Sequence, residues 1–103
     1  MDSFYTIITP EGQPIHFEFE KAKSLANKLK HGIDFVEAPR LWQDSQATTG
    51  SARDTGEERL LVIGMVDGKH WSAIVTHRGS RVRLISVRRS RPKEVELYES
   101  KDF

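Results

Sequence analysis

The alternation of apolar and polar side chains changes its period near residue 20. From Ile15 to Phe19 apolar side chains alternate with polar ones, which is the two-residue period of a strand with one buried face. From about Glu20 the apolar residues recur three and four positions apart, and this spacing predicts an amphipathic helix that ends at Gly32. The predicted core-facing stripe, with lysines on the opposite face, is Ala22, Leu25, Ala26 and Leu29.

A second helix is predicted to follow directly. Asp34 stands three residues before Glu37, which is the spacing of a capping box at a helix start, and apolar residues continue to Trp42. Pro39 falls in the second turn and is expected to kink or shorten this helix, because it lacks an N–H group. Residues 45–57 are polar and rich in Gly, Ser and Thr, and they predict a long exposed loop.

The second half of the chain has the pattern of an antiparallel meander. Three strands are predicted, and they cover Leu60 to Val66, His70 to Thr76 and Arg81 to Arg88. Their connections are short, and Asp67-Gly68 is a strong hairpin signal, so neighbouring strands must be antiparallel. Gly64 inside its strand indicates a bulge or a close backbone approach. Pro92 suits an early position of a short C-terminal helix that includes Val95 and Tyr98.

These elements predict an α+β fold: an antiparallel β-sheet meander with two N-terminal helices packed on one face and a short C-terminal helix. A chain of 103 residues fits one domain, and we expect residues 1–14 to be an N-terminal extension of it. Two helices would cover one face of the sheet and leave the other open to a partner. The open face is where we expect the functional site.

Composition narrows the possible classes of protein. Hydrophobic residues make up 37% and charged residues 30% of the chain, as in ordinary globular domains. No apolar run is long enough to cross a bilayer, and the first residues lack the order of a secretion signal, so we expect a cytoplasmic protein with no membrane partner. Cysteine is absent, and the four histidines lack the close spacing of metal ligands. We therefore expect no metal site and no cofactor.

The net charge of +1 conceals two strongly basic segments. Residues 76–93 contain seven lysines and arginines and no acidic residue, and residues 21–33 contain four lysines and no acidic residue. Clustered positive charge attracts polyanions such as nucleic acids even when the whole chain is almost neutral. The alternative is that these residues are ordinary solvated faces of strands and helices.

Two long segments resemble the signatures of a known family. The first is FEFEKAKSLANKLKHGIDFVEAPRLWQD, which resembles the opening of BrnT toxins in Phe17, Glu18, Lys21, Asn27, Lys30, His31, Gly32 and Phe35. The second runs from Gly56 to Tyr98 and is similar to the family in Gly56, Glu57, Glu58, Arg59, Thr76, Arg78, Gly79, Arg83, Ile85, Ser86, Arg88, Glu94 and Tyr98. The resemblance covers about residues 17–99. It departs from the family at Phe19-Glu20, where Trp-Asp is usual, and at Pro39.

The resemblance implies a fold and an activity. BrnT toxins have a RelE-like fold, cleave RNA without a metal, arrest translation, and are neutralised by the antitoxin BrnA. The antitoxin carries a dimeric DNA-binding domain, so the expected partners are RNA, a BrnA-type antitoxin and, only through the antitoxin complex, operator DNA.

Cleavage by attack of a 2′-hydroxyl requires cationic groups that stabilise added charge on the phosphate, and arginine grips two phosphate oxygens at once. Arg83 and Arg88 lie on the last predicted strand, but their odd separation places them on opposite faces of a regular strand. Arg88 is the favoured phosphate clamp, and Arg59 is a second. Arg83 has the alternative of an ion pair or an antitoxin contact, and Arg59 has Glu57 and Glu58 as competing partners.

Proton transfer requires groups of another kind. His31 is a candidate because imidazole titrates near neutrality, although a histidine at a helix end can also cap free carbonyls. Lys30 beside it is predicted to bind phosphate or to be solvated. Glu94 and Tyr98 are four residues apart on the last helix and share a face, which would let a base and a hydroxyl act together. Their alternative is structural, with Glu94 favouring the helix start and Tyr98 in the core.

A second set of residues is predicted to contact RNA without taking part in catalysis. These residues are Lys21, Lys28, Arg83, Ser86 and Arg89. The prediction places Arg88 and Arg59 together with Lys30 and His31 across a single hollow. A different class of function stays open, in which the chain is a non-catalytic nucleic-acid-binding or antitoxin-binding module. A decayed toxin is a further alternative, and Pro39 is the feature that favours it.

Overall fold

The computed structural model describes residues 2–52 and 58–100. It contains a six-stranded sheet with the strand order β1-β2-β6-β5-β4-β3. The elements are β1 (Asp2–Ile8), β2 (Pro14–Glu20), α1 (Lys21–His31), a 3₁₀ helix (Ala38–Gln43), β3 (Thr48–Ala52), β4 (Arg59–Val66), β5 (Lys69–Arg78), β6 (Arg81–Arg89) and α2 (Pro92–Glu99). In the described ranges, neither α-helix is long and apolar enough to cross a membrane.

The predicted meander is confirmed. Strands β4, β5 and β6 are antiparallel neighbours, and Asp67 and Gly68 both adopt positive φ at the β4–β5 turn, as a two-residue hairpin requires. The sheet is mixed, because β2 pairs with β6 in parallel over His16–Glu18 and Arg81–Arg83. The α+β class is therefore correct, and the sheet is mostly but not wholly antiparallel.

Two edge strands were not predicted. The segment expected to be an N-terminal extension forms β1, which pairs with β2 along its whole length. The segment expected to be a long loop contains β3, which pairs with β4. Its sequence, TTGSA, has no apolar alternation. Backbone hydrogen bonds to β4 hold it at the sheet edge, so the pattern of its side chains does not reveal the strand. The rest of that expected loop, residues 53–57, lies outside the described residues.

The predicted second helix is a short 3₁₀ helix. The capping bonds form as predicted: Asp34 Oδ1 accepts the Glu37 N–H at 2.8 Å, and Glu37 Oε1 accepts the Asp34 N–H at 3.0 Å. An α-helix does not form after these bonds, because Pro39 has no N–H group to donate in the next turn. Pro39 is fully buried, so the fold accommodates the residue that was taken to favour a decayed toxin.

Helix α1 is rotated away from its predicted orientation. Its buried residues are Ser24 and Asn27, whereas the predicted core-facing stripe, including Leu25 and Leu29, is exposed. The physical reason is hydrogen bonding. The Asn27 amide donates to the carbonyls of Val87 and Ile33 at 2.8 Å each and accepts the Val87 N–H at 3.2 Å. Asn27 thereby satisfies backbone groups on the part of the β6 edge that β2 does not reach.

The hydrophobic core lies between one face of the sheet, here called the core face, and the segment after α1. Phe35 and Leu41 of that segment are fully buried against strand residues such as Ala73 and Val87. Gly64 is the predicted close approach, because a Cβ on it would lie 3.0 Å from the Leu41 carbonyl oxygen. The helical layer over the core is thus residues 33–43, not two packed α-helices.

The other face of the sheet, here called the second face, is partly covered. The C-terminal helix α2 starts at Pro92 as predicted and packs on β4, where Tyr98 is buried. The remaining surface of this face carries polar and charged side chains of β4, β5 and β6. The expectation of a wholly open face is therefore wrong, and α2 forms one wall of what stays accessible.

Candidate functional site

A hollow of about 260 Å³ lies on the second face beside the start of α2. We call it the arginine hollow, and its lining residues are Ser51, Ala52, Arg59, Leu61, Ile74, Arg88, Arg91 and Glu94. Leu61 and Ile74 supply an apolar floor, and strands β3 to β6 and α2 each contribute a wall. Among the described lining residues are three guanidinium groups, which are the side-chain type that binds anionic groups such as phosphates.

A β-bulge in β6 decides which arginines face this side. Thr76 of β5 is opposite Arg83, and Ser72 is opposite Arg88, whereas Ile85 has no opposite residue. Thr76 and Ser72 are four residues apart and therefore share a face. Arg83 and Arg88 consequently lie on the same face, and the expectation from a regular strand that they lie on opposite faces is wrong. The extra residue of a bulge reverses the alternation beyond it.

Arg88 is held in a bidentate ion pair. Its Nη1 and Nη2 donate to the two carboxylate oxygens of Glu94 at 2.8 and 2.9 Å, and both side chains are mostly buried. Glu94 Oε1 also accepts the Ser72 hydroxyl and the backbone N–H of Arg91, each at 2.8 Å. The Arg91 bond belongs to the capping box of α2. One carboxylate thus fixes the position of Arg88 and the start of the helix.

These hydrogen bonds determine the chemistry of Glu94. The hydrogen bond from Arg88 is the main cause that lowers the pKa of Glu94 to about 2, assisted by the N–H of Arg91 and the hydroxyl of Ser72, and burial opposes the shift. A carboxylate with this pKa is a weak base at neutral pH. The geometry therefore favours Glu94 as the group that orients Arg88, which matches the structural alternative for its helix-start position.

We expect the Arg88–Glu94 pair to make stability depend on acid. Because the pKa of Glu94 falls from 4.5 to about 2 on folding, its contribution is present above pH 4.5 and is lost as the pH falls towards 2. The size expected from that shift is about 3 kcal/mol. Denaturant unfolding at pH 7 and pH 3 should show a much smaller pH effect for Glu94→Gln than for the wild type. Asp67→Asn, which breaks the exposed Arg40 pair, is the matched control and should leave the pH effect almost unchanged.

Lys30 and His31 lie in a second hollow. This helix-edge hollow is formed between α1 and the free edge of β6, and its lining residues are Lys23, Ala26, Asn27, Lys30, His31, Ile85 and Ser86. The expectation of a single hollow is therefore not met. Ser86 of the helix-edge hollow and Arg88 of the arginine hollow are two residues apart on the same face of β6, which is about 7 Å along a strand.

Tyr98 and Glu94 bond to different partners and line different hollows. Its hydroxyl donates to Asp44 Oδ2 at 2.6 Å, and its ring contacts His70 edge-on. Burial, followed by the interaction with Asp44, raises the pKa of Tyr98 to about 12. Tyr98 lines a different depression, beside Asp44 and Arg40. The geometry favours its structural alternative, and Glu94 and Tyr98 are not brought to one site.

The residues predicted to contact RNA are dispersed. Arg83 binds Glu18 at 2.7 Å and Asp2 at 3.2 Å, which is the ion-pair alternative, and its hydrogen bond lowers the pKa of Asp2. Lys28 pairs with Glu37 at 2.7 Å.

The other three take separate positions. Arg89 lies on the core face over the Trp71 ring, 5.6 Å from its centroid. Lys21 is exposed at the start of α1. Only Ser86, in the helix-edge hollow, adjoins the arginine hollow.

Two residues that donate hydrogen bonds to Glu94, Arg91 and Ser72, were not predicted as site residues. Arg91 lies at the N-cap of α2, three residues before Glu94, and arginine is not a usual N-cap residue, so the sequence did not mark it. Ser72 is fully buried and bonded to Glu94. Its only sequence signal is a polar residue inside an apolar strand, which is weak. Glu57, one of the two acidic residues proposed as partners of Arg59, lies outside the described residues.

The fold and the hollow together define a small α+β protein with an arginine-lined hollow on one sheet face. The chain belongs to the BrnT family: the family model for the ribonuclease toxin, BrnT, of type II toxin-antitoxin systems matches residues 19–94. No curated protein matches the chain. Family membership confirms the resemblance seen in the sequence and implies an RNA substrate and a cognate antitoxin. The match begins at Phe19, so β1 and most of β2 lie outside it.

Proposed function

We propose that this chain is an endoribonuclease that cleaves RNA at the arginine hollow without a metal ion. The observation that carries the proposal is the convergence of Arg59, Arg88 and Arg91 around one hollow in a chain of the BrnT ribonuclease family. Cleavage of messenger RNA in the cytoplasm would inhibit translation. A BrnA-type antitoxin would neutralise the enzyme, and operator DNA would be bound only through that complex. A RelE-like arrangement of the sheet is part of the same proposal.

The proposed chemistry is an internal transfer. The 2′-hydroxyl gives its proton to a base as its oxygen bonds to the adjacent phosphorus. The bond from phosphorus to the 5′-oxygen breaks, and the 5′-oxygen takes a proton from an acid, which leaves a 2′,3′-cyclic phosphate and a 5′-hydroxyl. The phosphate gains negative charge in the transition state, so fixed guanidinium groups stabilise it more than they stabilise the substrate. Among the described contacts of Arg88, Nη1 donates to Glu94 and to the Arg89 carbonyl, and Nη2 donates to Glu94. The Nε–H and the second N–H of Nη2 are then the donors for a phosphate oxygen.

Proton transfer is assigned to the neighbouring hollow. The side chains that line the arginine hollow in the described ranges include none of a type that titrates near neutrality. His31 is of that type and lies with Lys30 in the helix-edge hollow. An RNA strand lying along the second face of β6, past Ser86 and Arg88, would touch both hollows. In this proposal Arg88 holds the scissile phosphate, and His31 and Lys30 act on the adjoining nucleotide.

The proposed chemistry predicts the cleavage products, no effect of EDTA on the rate, and no cleavage of a substrate that lacks the 2′-hydroxyl. We expect purified protein to cleave a short RNA to a 2′,3′-cyclic phosphate and a 5′-hydroxyl, at a rate unchanged by EDTA. A matched RNA with 2′-deoxy sugars at the cleaved position should resist cleavage, because it lacks the attacking oxygen. The measurement is gel electrophoresis with mass spectrometry of the fragments. Loss of activity in EDTA with recovery on adding a divalent ion would contradict the metal-free proposal, and cleavage of the deoxy substrate would contradict the internal attack.

A non-catalytic binding module is the second candidate. The observation that favours it is the Arg88–Glu94 pair itself, because a guanidinium already balanced by a carboxylate with a pKa of about 2 is a stable structural unit. Such a module would bind RNA or the antitoxin and cut nothing. It predicts salt-dependent RNA binding and intact RNA after long incubation, whereas the enzyme predicts fragments.

A further inference from the structure

Helix α1 presents an apolar stripe to solvent. Leu25 is 61% exposed and Leu29 is 89% exposed, and Ala22 and Ala26 beside them are also exposed. The helix makes its intramolecular contacts through the opposite side, where Ser24 and Asn27 are buried. An amphipathic helix normally turns its apolar stripe inward, so this one is inverted.

The inversion is fixed by hydrogen bonds. Asn27 is bonded to backbone groups of Val87 and Ile33, and the Ser24 hydroxyl accepts the Phe35 N–H at 2.9 Å. Rotating α1 to bury its leucines would leave these buried groups without partners, which costs several kcal/mol. No described residue buries the stripe, and another molecule could cover it without breaking these bonds.

The shape of the stripe suits a helix. Leu25 and Leu29 form one row with a spacing of four residues, and Ala22 and Ala26 form a parallel row of small side chains. The leucine row forms a ridge and the alanine row forms a groove beside it. A second helix packs against such a surface by placing a ridge of its own side chains in the groove. A lipid surface would gain little from two leucines, because membrane anchoring grows with the buried apolar area.

The charges around the stripe select the chemistry of the partner. Lys21 and Lys28 lie on the Leu25 side, four residues before and three after it, and Lys23 and Lys30 lie on the Ala26 side, three residues before and four after Ala26. Lys28 is paired with Glu37; the other three make no ion pair with any described residue. A second copy of α1 packed on this stripe would bring lysines against lysines, whereas a partner with carboxylates on both flanks would match it.

We propose that the stripe of α1 is a docking site for an acidic amphipathic helix of another protein. The partner helix carries an apolar row that packs between the leucine and alanine rows, with glutamates or aspartates on both sides of that row. RNA does not fit the whole surface, since leucines offer nothing to phosphates. The proposal does not depend on RNA cleavage, and the antitoxin implied by the family is the first natural protein in which to look for such a helix.

The test uses designed peptides of about 20 residues. One has a leucine row flanked by glutamates, the second replaces each glutamate by lysine, and the third has the composition of the first in scrambled order. We expect the acidic peptide to bind the full chain saturably, at least about tenfold more tightly than either of the others. Leu25→Glu combined with Leu29→Glu should weaken it by about tenfold or more, and Ile8→Glu, at another exposed apolar residue, should not.

Parallel measurements make the outcome decisive. Circular dichroism of the double variant checks that the fold is intact, as expected for two exposed positions. Equal binding of the acidic and scrambled peptides, or no saturable binding of the acidic one, would overturn the proposal. Binding to phosphatidylglycerol vesicles that the double variant loses, without peptide binding, would assign the stripe to a membrane instead. RNA cleavage by the double variant should equal that of the wild type, so loss of nuclease activity and loss of docking are distinguishable.

Discussion

Arg88→Ala should reduce RNA cleavage by about 100-fold or more, because removing one fixed donor to a charged transition state costs that much. RNA affinity should fall by only about tenfold, since Arg59 and Arg91 line the same hollow and single phosphate contacts contribute modestly to binding. The measurements are single-turnover cleavage rates and RNA dissociation constants at one salt concentration. A larger loss in rate than in affinity separates an enzyme from a binding module.

Two further variants keep this comparison interpretable. Removing Arg88 leaves the mostly buried Glu94 unpaired, which itself destabilises the fold, so thermal unfolding must be measured alongside. Arg88→Lys keeps a charge for Glu94 but loses the planar fork, and we expect it to fold and still to cleave poorly. Arg78→Ala, at an exposed position at the end of β5, should change neither property. Equal losses of rate and affinity in Arg88→Lys would contradict a catalytic role for the guanidinium.

Asn27→Ala should lower the free energy of unfolding by about 2 to 4 kcal/mol. The change removes both amide donors and one acceptor from α1 and leaves the Val87 N–H and the carbonyls of Val87 and Ile33 without those partners. Buried backbone groups without partners are costly, whereas the hydrogen bonds themselves contribute less. Urea unfolding followed by circular dichroism measures the change.

Asn27→Asp is a sharper form of the same experiment. It keeps an oxygen for the Val87 N–H but cannot donate to either carbonyl when it is ionised, so it should also be strongly destabilised near neutral pH. Lys23→Ala on the same helix is exposed and should change stability by less than about 0.5 kcal/mol. If Asn27→Ala were as stable as Lys23→Ala, the amide would not be what fixes the rotation of α1.

The periodicity of apolar residues predicted the positions of the helices and strands better than it predicted which side of each element is buried. The meander, its Asp67-Gly68 turn and the position of α2 follow from local turn and strand chemistry that is present in the sequence. The rotation of α1 does not, because the same stripe of leucines suits a core or a partner equally well. Ser24 and Asn27 decide between them through bonds to residues up to 60 positions away, and no local pattern reports such bonds.

Two of the three arginines of the candidate site were predictable from the sequence, but their arrangement was not. Arg59, Arg88 and Glu94 were identified from the sequence, and the structure brings all three to one hollow. The shared face of Arg83 and Arg88 depends on the bulge at Ile85, which has no glycine or other residue to mark it in the sequence. Whether Lys30 and His31 act with these residues stays a prediction.

The parallel pairing of β2 with β6 affects when, during synthesis, the arginine hollow can be assembled. A ribosome delivers β2 early and β6 late, so the middle of the sheet closes only after most of the chain has emerged. Glu94, which holds Arg88 in place, belongs to α2 and arrives later still. A nascent chain that stops before α2 has no assembled hollow, and the activity proposed for that hollow would begin only once α2 has been synthesised.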